Sequence, residues 1–206
     1  MSWTEKPVVA AFDFDGTLTR RDTLFPFLLY VVGWPAFIWK FLQSLGLLTA
    51  YALKLIRNDI AKERLLVRYL AGMEVAELER KGREFAEHKL PKMLRTEAMW
   101  RLHWHLENGH RCVVVSASLD YYLKPWAAMM GFSDALCTRL VALPDGRTSG
   151  KLDGANCFGP EKMRRVEALL GERSGYTLYA YGDSRGDKEL LSAADHAFYR
   201  MFFPKR

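Results

Sequence analysis

Asp13 and Asp15 stand two residues apart in the run DFDGTLT, and far along the chain Asp183 and Asp187 stand four apart in YGDSRGD. In an extended segment residues i and i+2 point to the same face, so the first two carboxylates can reach one atom. Carboxylates that close repel unless a cation lies between them, and the later pair supplies further hard oxygen ligands for one. A donor set made only of oxygens fits Mg²⁺ rather than zinc. A single Asp-x-Asp-Gly loop is equally a plain turn or a helix cap. The ordered set says more: acids after an apolar run, Ser116 directly after VVV, Lys162 opening a helical segment, and Gly-Asp-x-x-x-Asp after a last apolar run.

The elements around these residues decide whether they can meet. From Pro7 the run VVAAFDF is β-branched and aromatic, then breaks at Asp15-Gly16-Thr17, which predicts a buried strand ending in a loop. Residues 22–105 read as helical nearly throughout, with breaks at Gly33-Trp34-Pro35, Asn58-Asp59, Gly72 and Leu90-Pro91, so about four helices are expected. Strand signals resume at 111–115, in a hairpin flanking Pro144-Asp145-Gly146, at 176–181, and more weakly at 196–202. Helices fit at 121–130, 160–170 and 187–193. Strands alternating with helices around one helical block predict an α/β fold, a mostly parallel sheet with an inserted α-helical cap. Ligands of such sheets bind beyond the carboxyl ends of the strands, where Asp13, Asp15, Ser116, Asp183 and Asp187 all fall.

The composition narrows the classes. With 206 residues, half of them hydrophobic, the chain buries a real core, which excludes a disordered protein. Cys112, Cys137 and Cys157 lack CxxC spacing, so neither a disulfide framework nor a zinc site is expected. The net charge of +6 suits anionic ligands or an anionic membrane face. Basic residues between 57 and 111 are interleaved with acids, and no nucleic-acid partner is expected. Residues 1–6 are polar and 7–14 are cut by Asp13, so no signal peptide is read there, and the cytoplasm or the cytoplasmic face of the inner membrane is the expected location.

Residues 24–56 are almost wholly apolar and bracketed by Arg20-Arg21 and Arg57. Lys40, Gln43, Ser44, Tyr51 and Lys54 draw a narrow polar stripe along the later half. A helix apolar around most of its girth is buried in a bundle or immersed in lipid. A hairpin lying in the membrane interface is the leading expectation, with a buried cap core and a true span as alternatives.

The motifs DFDGTLT (13–19), VVVSAS (113–118), the Lys162 of GPEKMRRV and YGDSRGD (181–187) resemble those of the haloacid dehalogenase superfamily. The resemblance covers nearly the whole chain and is nearest to subfamily IB, which includes phosphoserine phosphatases and class C phosphatidylglycerophosphate phosphatases. It implies a Rossmann-like core from 1–20 and 106–206, with a cap at 21–105. It also implies Mg²⁺-dependent hydrolysis of a phosphate monoester. Asp13 would be the nucleophile, forming an aspartyl phosphate, and Asp15 would protonate the leaving alcohol and then activate water. The metal would be held by the Asp13 side chain, the Asp15 backbone carbonyl and Asp183, with Asp187 binding directly or from behind. Ser116 and the N–H of Ala117 would hold phosphate oxygens, Lys162 would offset charge, and Gly16 and Thr17 would shape the loop.

Asp22 would face the substrate from the cap entrance, with a helix cap as the equal alternative. Arg64 or Lys62 would bind a substrate anion, Arg64 being the choice carried forward. The histidines are assigned no catalytic role. The expected substrate is a phospholipid phosphate such as phosphatidylglycerophosphate. The alternatives are a soluble phosphatase of the phosphoserine type and a non-catalytic module at the membrane periphery.

Overall fold

The run VVAAF forms strand β1 (Val8–Phe12) in the computed structural model, which describes residues 6–203. Residues 1–5, on which most of the N-terminal reading rests, and 204–206 lie outside the described residues. β1 pairs in parallel with β2 (Arg111–Leu119) on one side and β6 (Thr177–Gly182) on the other. The edge strands β3 (Asp134–Thr138) and β7 (His196–Tyr199) complete a five-stranded sheet in the order β3-β2-β1-β6-β7, parallel throughout. The predicted hairpin is present apart from it, as β4 (Leu140–Ala142) and β5 (Thr148–Leu152).

Alternation along the strands builds a core on each face of the sheet. Ala10, Phe12, Cys112, Val114 and Tyr181 join Leu102 of α5 (Thr96–Glu107) and Leu123 and Trp126 of α6 (Asp120–Met129). Val9, Ala11, Val113, Val115 and Leu178 join Met163 and Val166 of α7 (Pro160–Leu170) and Leu190 of α8 (Lys188–Ala193). Strands buried on both faces are the near-continuous apolar runs from which the sheet was predicted.

Between β1 and β2 the chain forms α1 (Leu24–Val32), α2 (Trp34–Ala52), α3 (Asn58–Leu70), α4 (Val75–His88) and α5, five α-helices where about four were expected. The chain leaves the sheet and returns to it at one place: Arg20 donates its N–H to the Met93 carbonyl at 2.9 Å, and Arg95 donates to Leu18 at 2.9 Å. The hairpin grips the same helices from the other side. The Gly72 N–H donates to Thr148 at 2.8 Å and the Thr148 N–H to Met73 at 2.9 Å.

α4 crosses α6 so closely that a Cβ on Gly82 would lie 2.0 Å from the Tyr121 carbonyl oxygen. Gly82→Ala must therefore push α4 and α6 away from each other. Overpacking of this kind costs about 1–3 kcal/mol, so the melting temperature should fall by several degrees in a thermal scan. An unchanged midpoint would contradict the contact.

α2 is inside out. Its one fully buried residue is Ser44, whose hydroxyl donates to the Lys40 carbonyl at 2.7 Å. Lys40 donates in turn to the Arg68 carbonyl of α3 at 2.7 Å. Thus Lys40 and Ser44, from the polar stripe, face the protein, while Trp34 and Trp39, each 65% exposed, stand outward with Ile38, Leu42 and Leu45. Across 24–56 the buried-cap alternative therefore fails for α2 but holds for α1, whose Phe27, Leu28 and Val31 are buried in the core. Among the described residues no helix is long and apolar enough to cross a membrane, so the span does not hold either.

Candidate active site

The strand register brings the candidate residues together. Phe12 lies opposite Val114 on β2 and Tyr181 on β6, so the next steps along the three strands carry Asp13, Ser116 and Asp183 to one end of the sheet. The Asp13 N–H donates to the Tyr181 carbonyl at 2.9 Å, which fixes where its side chain starts. Gly16 then turns the loop at φ 84°, a left-handed conformation that glycine adopts freely. A Cβ there would sit 2.5 Å from Asp183 Oδ2. Thr17 closes the loop onto both acids, its Oγ1 lying 3.2 Å from Asp13 Oδ2 and 3.4 Å from Asp183 Oδ1.

Lys162 is buried in the first turn of α7, with Nζ 2.5 Å from Asp13 Oδ1 and 2.6 Å from Asp187 Oδ1. Burial alone would lower its ammonium, but the charges of Asp13 and Asp187 hold it above the ordinary lysine range. The other oxygen of Asp187 accepts from the Asp183 N–H at 3.2 Å, the Ser184 N–H at 3.0 Å and the Ser184 hydroxyl at 2.9 Å. Both of its oxygens are therefore engaged, and Asp187 holds Lys162 and the 183–187 loop in place.

Asp15 points elsewhere. Its Oδ1 accepts from the Thr23 N–H at 2.8 Å and the Thr23 hydroxyl at 2.7 Å, and its Oδ2 accepts from Ser118 Oγ at 2.5 Å. The Thr23 hydroxyl also lies 3.0 Å from the buried Tyr122 hydroxyl. Burial first, then the Asp22 charge, pushes Asp15 up to about 6, against the pull of these hydrogen bonds. It can therefore carry a proton near neutrality. Ser116 is buried, and its Oγ accepts from the Ser118 N–H at 3.1 Å. The sequence reading of VVVSAS took Ser116, not Ser118, and nothing in the sequence marked Thr23 or Tyr122.

These groups lie in a cleft of about 330 Å³ lined by Asp13, Asp15, Asp22, Ser116, Ala117, Ser118, Lys162 and Asp183, with Leu24, Phe25, Leu48, Tyr51 and Leu65 as its apolar wall. A larger groove of about 580 Å³ meets the cleft at Asn58, Asn156 and Phe158 but holds none of the catalytic-type carboxylates. Asp22 lines the cleft, and its Oδ1 accepts from the Leu24 N–H at 2.8 Å, but the residue capping α1 is Thr23 rather than Asp22.

The Arg64 expectation is corrected. Arg64 is exposed and lines a groove with Gly46 and Val67 instead. The cation that enters the cleft is Lys62, whose Nζ donates to the Ala117 carbonyl and to Asn156 Oδ1, the latter at 3.0 Å. Burial lowers it to about 8, against the charges of Asp15 and Asp22. Asn156, which sequence reasoning missed, also accepts from Thr138 Oγ1 at 2.8 Å and donates to Asn58 Oδ1 at 3.1 Å.

Carboxylate oxygens of Asp13, Asp183 and Asp187 lie within 4.8 Å of one another. Burial first, with Asp187 and Asp15 adding to it, pushes Asp13 up to about 7 in spite of Lys162. Burial and Asp187 also raise Asp183. Such an oxygen cluster, short of positive charge, fits a hard divalent cation. Without one, folded Asp13 and Asp15 keep protons that the unfolded chain loses near about pH 4. The folded state then binds more protons between about pH 4 and 7, so stability must fall as the pH rises through that window. Thermal scans in chelator from pH 5 to 8 should show this decline, and Mg²⁺ should reverse it at pH 8. A flat profile would contradict it.

A parallel sheet that gathers carboxylates, a serine and a buried lysine at its carboxyl edge is an α/β fold with a ligand site at the ends of its strands. The chain belongs to the haloacid dehalogenase-like hydrolase family, whose model matches residues 10–192. It is 38% identical over 199 residues to protein CicA of Caulobacter vibrioides, covering 96% of this chain and 87% of that one. A Bordetella pertussis protein of unknown function superposes with a TM-score of 0.77 at 27% identity, covering 91% of this chain and 87% of that one. A phosphoserine phosphatase solved as a phospho-aspartyl intermediate analogue has a TM-score of 0.60 at 17% identity, covering 92% and 84%, and shares the fold.

Proposed function

We propose that this member of the family is a Mg²⁺-dependent phosphomonoester hydrolase acting on phospholipid phosphates, with phosphatidylglycerophosphate as the lead substrate. The observation that carries the lipid reading is α2, whose apolar face is exposed and whose Leu48 and Tyr51 help to wall the catalytic cleft. A head group can then reach the carboxylates while its acyl chains stay in lipid along α2. Exposed Arg20, Arg21, Lys54 and Arg57 bracket residues 24–56 in the sequence and suit an anionic bilayer. In this reading the cap, drawn at 21–105, consists of α1 to α4, with α5 packing on the sheet as part of the core (1–20 and 106–206), and the cap rests on the cytoplasmic face of the membrane.

Asp13, held by Lys162 and Thr17, attacks phosphorus and forms the aspartyl phosphate; the phospho-aspartyl analogue of the related fold is in keeping with this. Asp15, kept partly protonated by its burial, gives its proton to the departing alkoxide and then takes one from water. Ser116 and the Ala117 N–H receive phosphate oxygens, and Lys162 balances charge on Asp13. Asp13, Asp183 and the Asp15 backbone carbonyl would hold Mg²⁺, which lets an anionic nucleophile approach an anionic phosphate. Asp187 works through Lys162, and Lys62 meets a second anionic group on the leaving alcohol.

The reading is tested by phosphate release from phosphatidylglycerophosphate in mixed micelles and from phosphoserine, each with and without Mg²⁺. Mg²⁺-dependent turnover of the lipid alone is expected. Turnover of phosphoserine alone would overturn the lipid substrate in favour of the soluble alternative, for which Lys62 and Asp22 in one cleft are the supporting observation.

A further inference from the structure

A second cavity, of about 140 Å³, shares only Asp183 with the catalytic cleft. It is lined by Gly16, Thr17, Gly182 and Asp183 of the catalytic loops, by Met201 and Phe202, and by two arginines. Arg95, at the start of α5, donates from Nε to the Thr19 carbonyl at 3.1 Å. Arg200 donates from Nε to the Asp183 carbonyl at 2.9 Å. Each arginine thus braces the backbone of a catalytic segment through one nitrogen. Among the described residues no carboxylate or other protein acceptor engages the terminal nitrogens of either, whereas Arg111, Arg147, Arg164 and Arg173 each meet an acid. Arg200 also sits at φ 56°, a left-handed conformation that a residue with a Cβ adopts at some cost. Two guanidinium groups with free donors beside a single carboxylate make a site for an anion, and the planar fork of arginine matches a tetrahedral oxyanion. The volume is roughly ten times the ~10–15 Å³ that one water requires, so a small anion fits and an acyl chain does not.

We propose that this cavity is a second oxyanion site that takes inorganic phosphate, the product of the phosphatase reaction, apart from the cleft beneath the cap. Phosphate released at Asp13 would then have a place to go on the far side of Asp183, without passing lipid at the mouth of the cleft. The inference rests on the phosphatase reading only for the identity of the anion. Its test therefore needs no turnover.

Calorimetric titration of the metal-free protein with inorganic phosphate reads the arginine cavity when Ser116→Ala and Arg95→Gln are titrated beside the wild type. One phosphate should bind the wild type and Ser116→Ala alike. Arg95→Gln, whose amide can still reach the Thr19 carbonyl, should weaken binding about tenfold by losing one charged contact, and Arg95→Lys should recover some of it. Arg200→Gln should act in the same direction. A parallel titration with glycerol 3-phosphate separates the free product from a phosphate ester and should show weaker binding. The proposal is overturned if chelated wild type binds no phosphate, if Arg95→Gln binds it unchanged, if Ser116→Ala abolishes binding, or if glycerol 3-phosphate binds as tightly as phosphate.

Discussion

Asp13→Asn is expected to remove turnover by at least about four orders of magnitude, the scale on which loss of a nucleophile is felt, while the fold stays as stable as before or gains. The first half follows from the place of Asp13 at the centre of the carboxylate cluster. The second follows from its surroundings. Burial, Asp187 and Asp15 all disfavour a charged Asp13. A neutral amide of the same shape removes that repulsion, and Lys162 keeps its partner Asp187 at 2.6 Å. Steady-state phosphate release and a thermal scan in chelator read the two halves separately. Activity above about 1% of wild type would sink the nucleophile. A steep drop in melting temperature would show that Asp13 supports the fold more than the chemistry.

The double substitution Trp34→Glu, Trp39→Glu is expected to abolish adsorption to anionic vesicles. Burying a large apolar side chain is worth about 1.5–3 kcal/mol, so replacing two exposed tryptophans should lower partitioning by about two to four orders of magnitude. Neither residue belongs to the buried core, so the fold should not suffer. Sedimentation with phosphatidylglycerol vesicles gives the adsorption, and turnover of vesicle-borne lipid should fall with it. Turnover of a short-chain phosphate ester should not change. Equal losses on both substrates would mean that α2 shapes the cleft rather than docking the enzyme.

Much of this was readable before any coordinates. The apolar runs of β1, β2 and β6 predicted their strands because both faces of the sheet are covered. The edge strand β3, DALCT, escaped because it carries little β-branched character and pairs on one side only. The phase of α3 would have separated Lys62 from Arg64. Asn58, Lys62, Leu65 and Tyr69 follow the i, i+4, i+7 spacing of one face, and Arg64 falls off it. The direction in which α2 turns its stripe was not legible. That direction depends on the Arg68 carbonyl of another helix capturing Lys40. Ser118 and Thr23 were hidden for a similar reason, since their common target, Asp15, is distant in sequence from Ser118 and lies across a turn from Thr23.

The place of β1 in the sheet also bears on how the chain comes to be folded. Val9 pairs with Arg111 and Val8 with Thr177, so the central strand is synthesised first and its two neighbours only much later. Contacts this distant in sequence are slow to form, and until they do the apolar segments made early have nothing to cover them. On the ribosome, the stretch that becomes α1 and α2 is therefore complete and sticky while the sheet is still missing strands. That stretch is where aggregation during synthesis would begin.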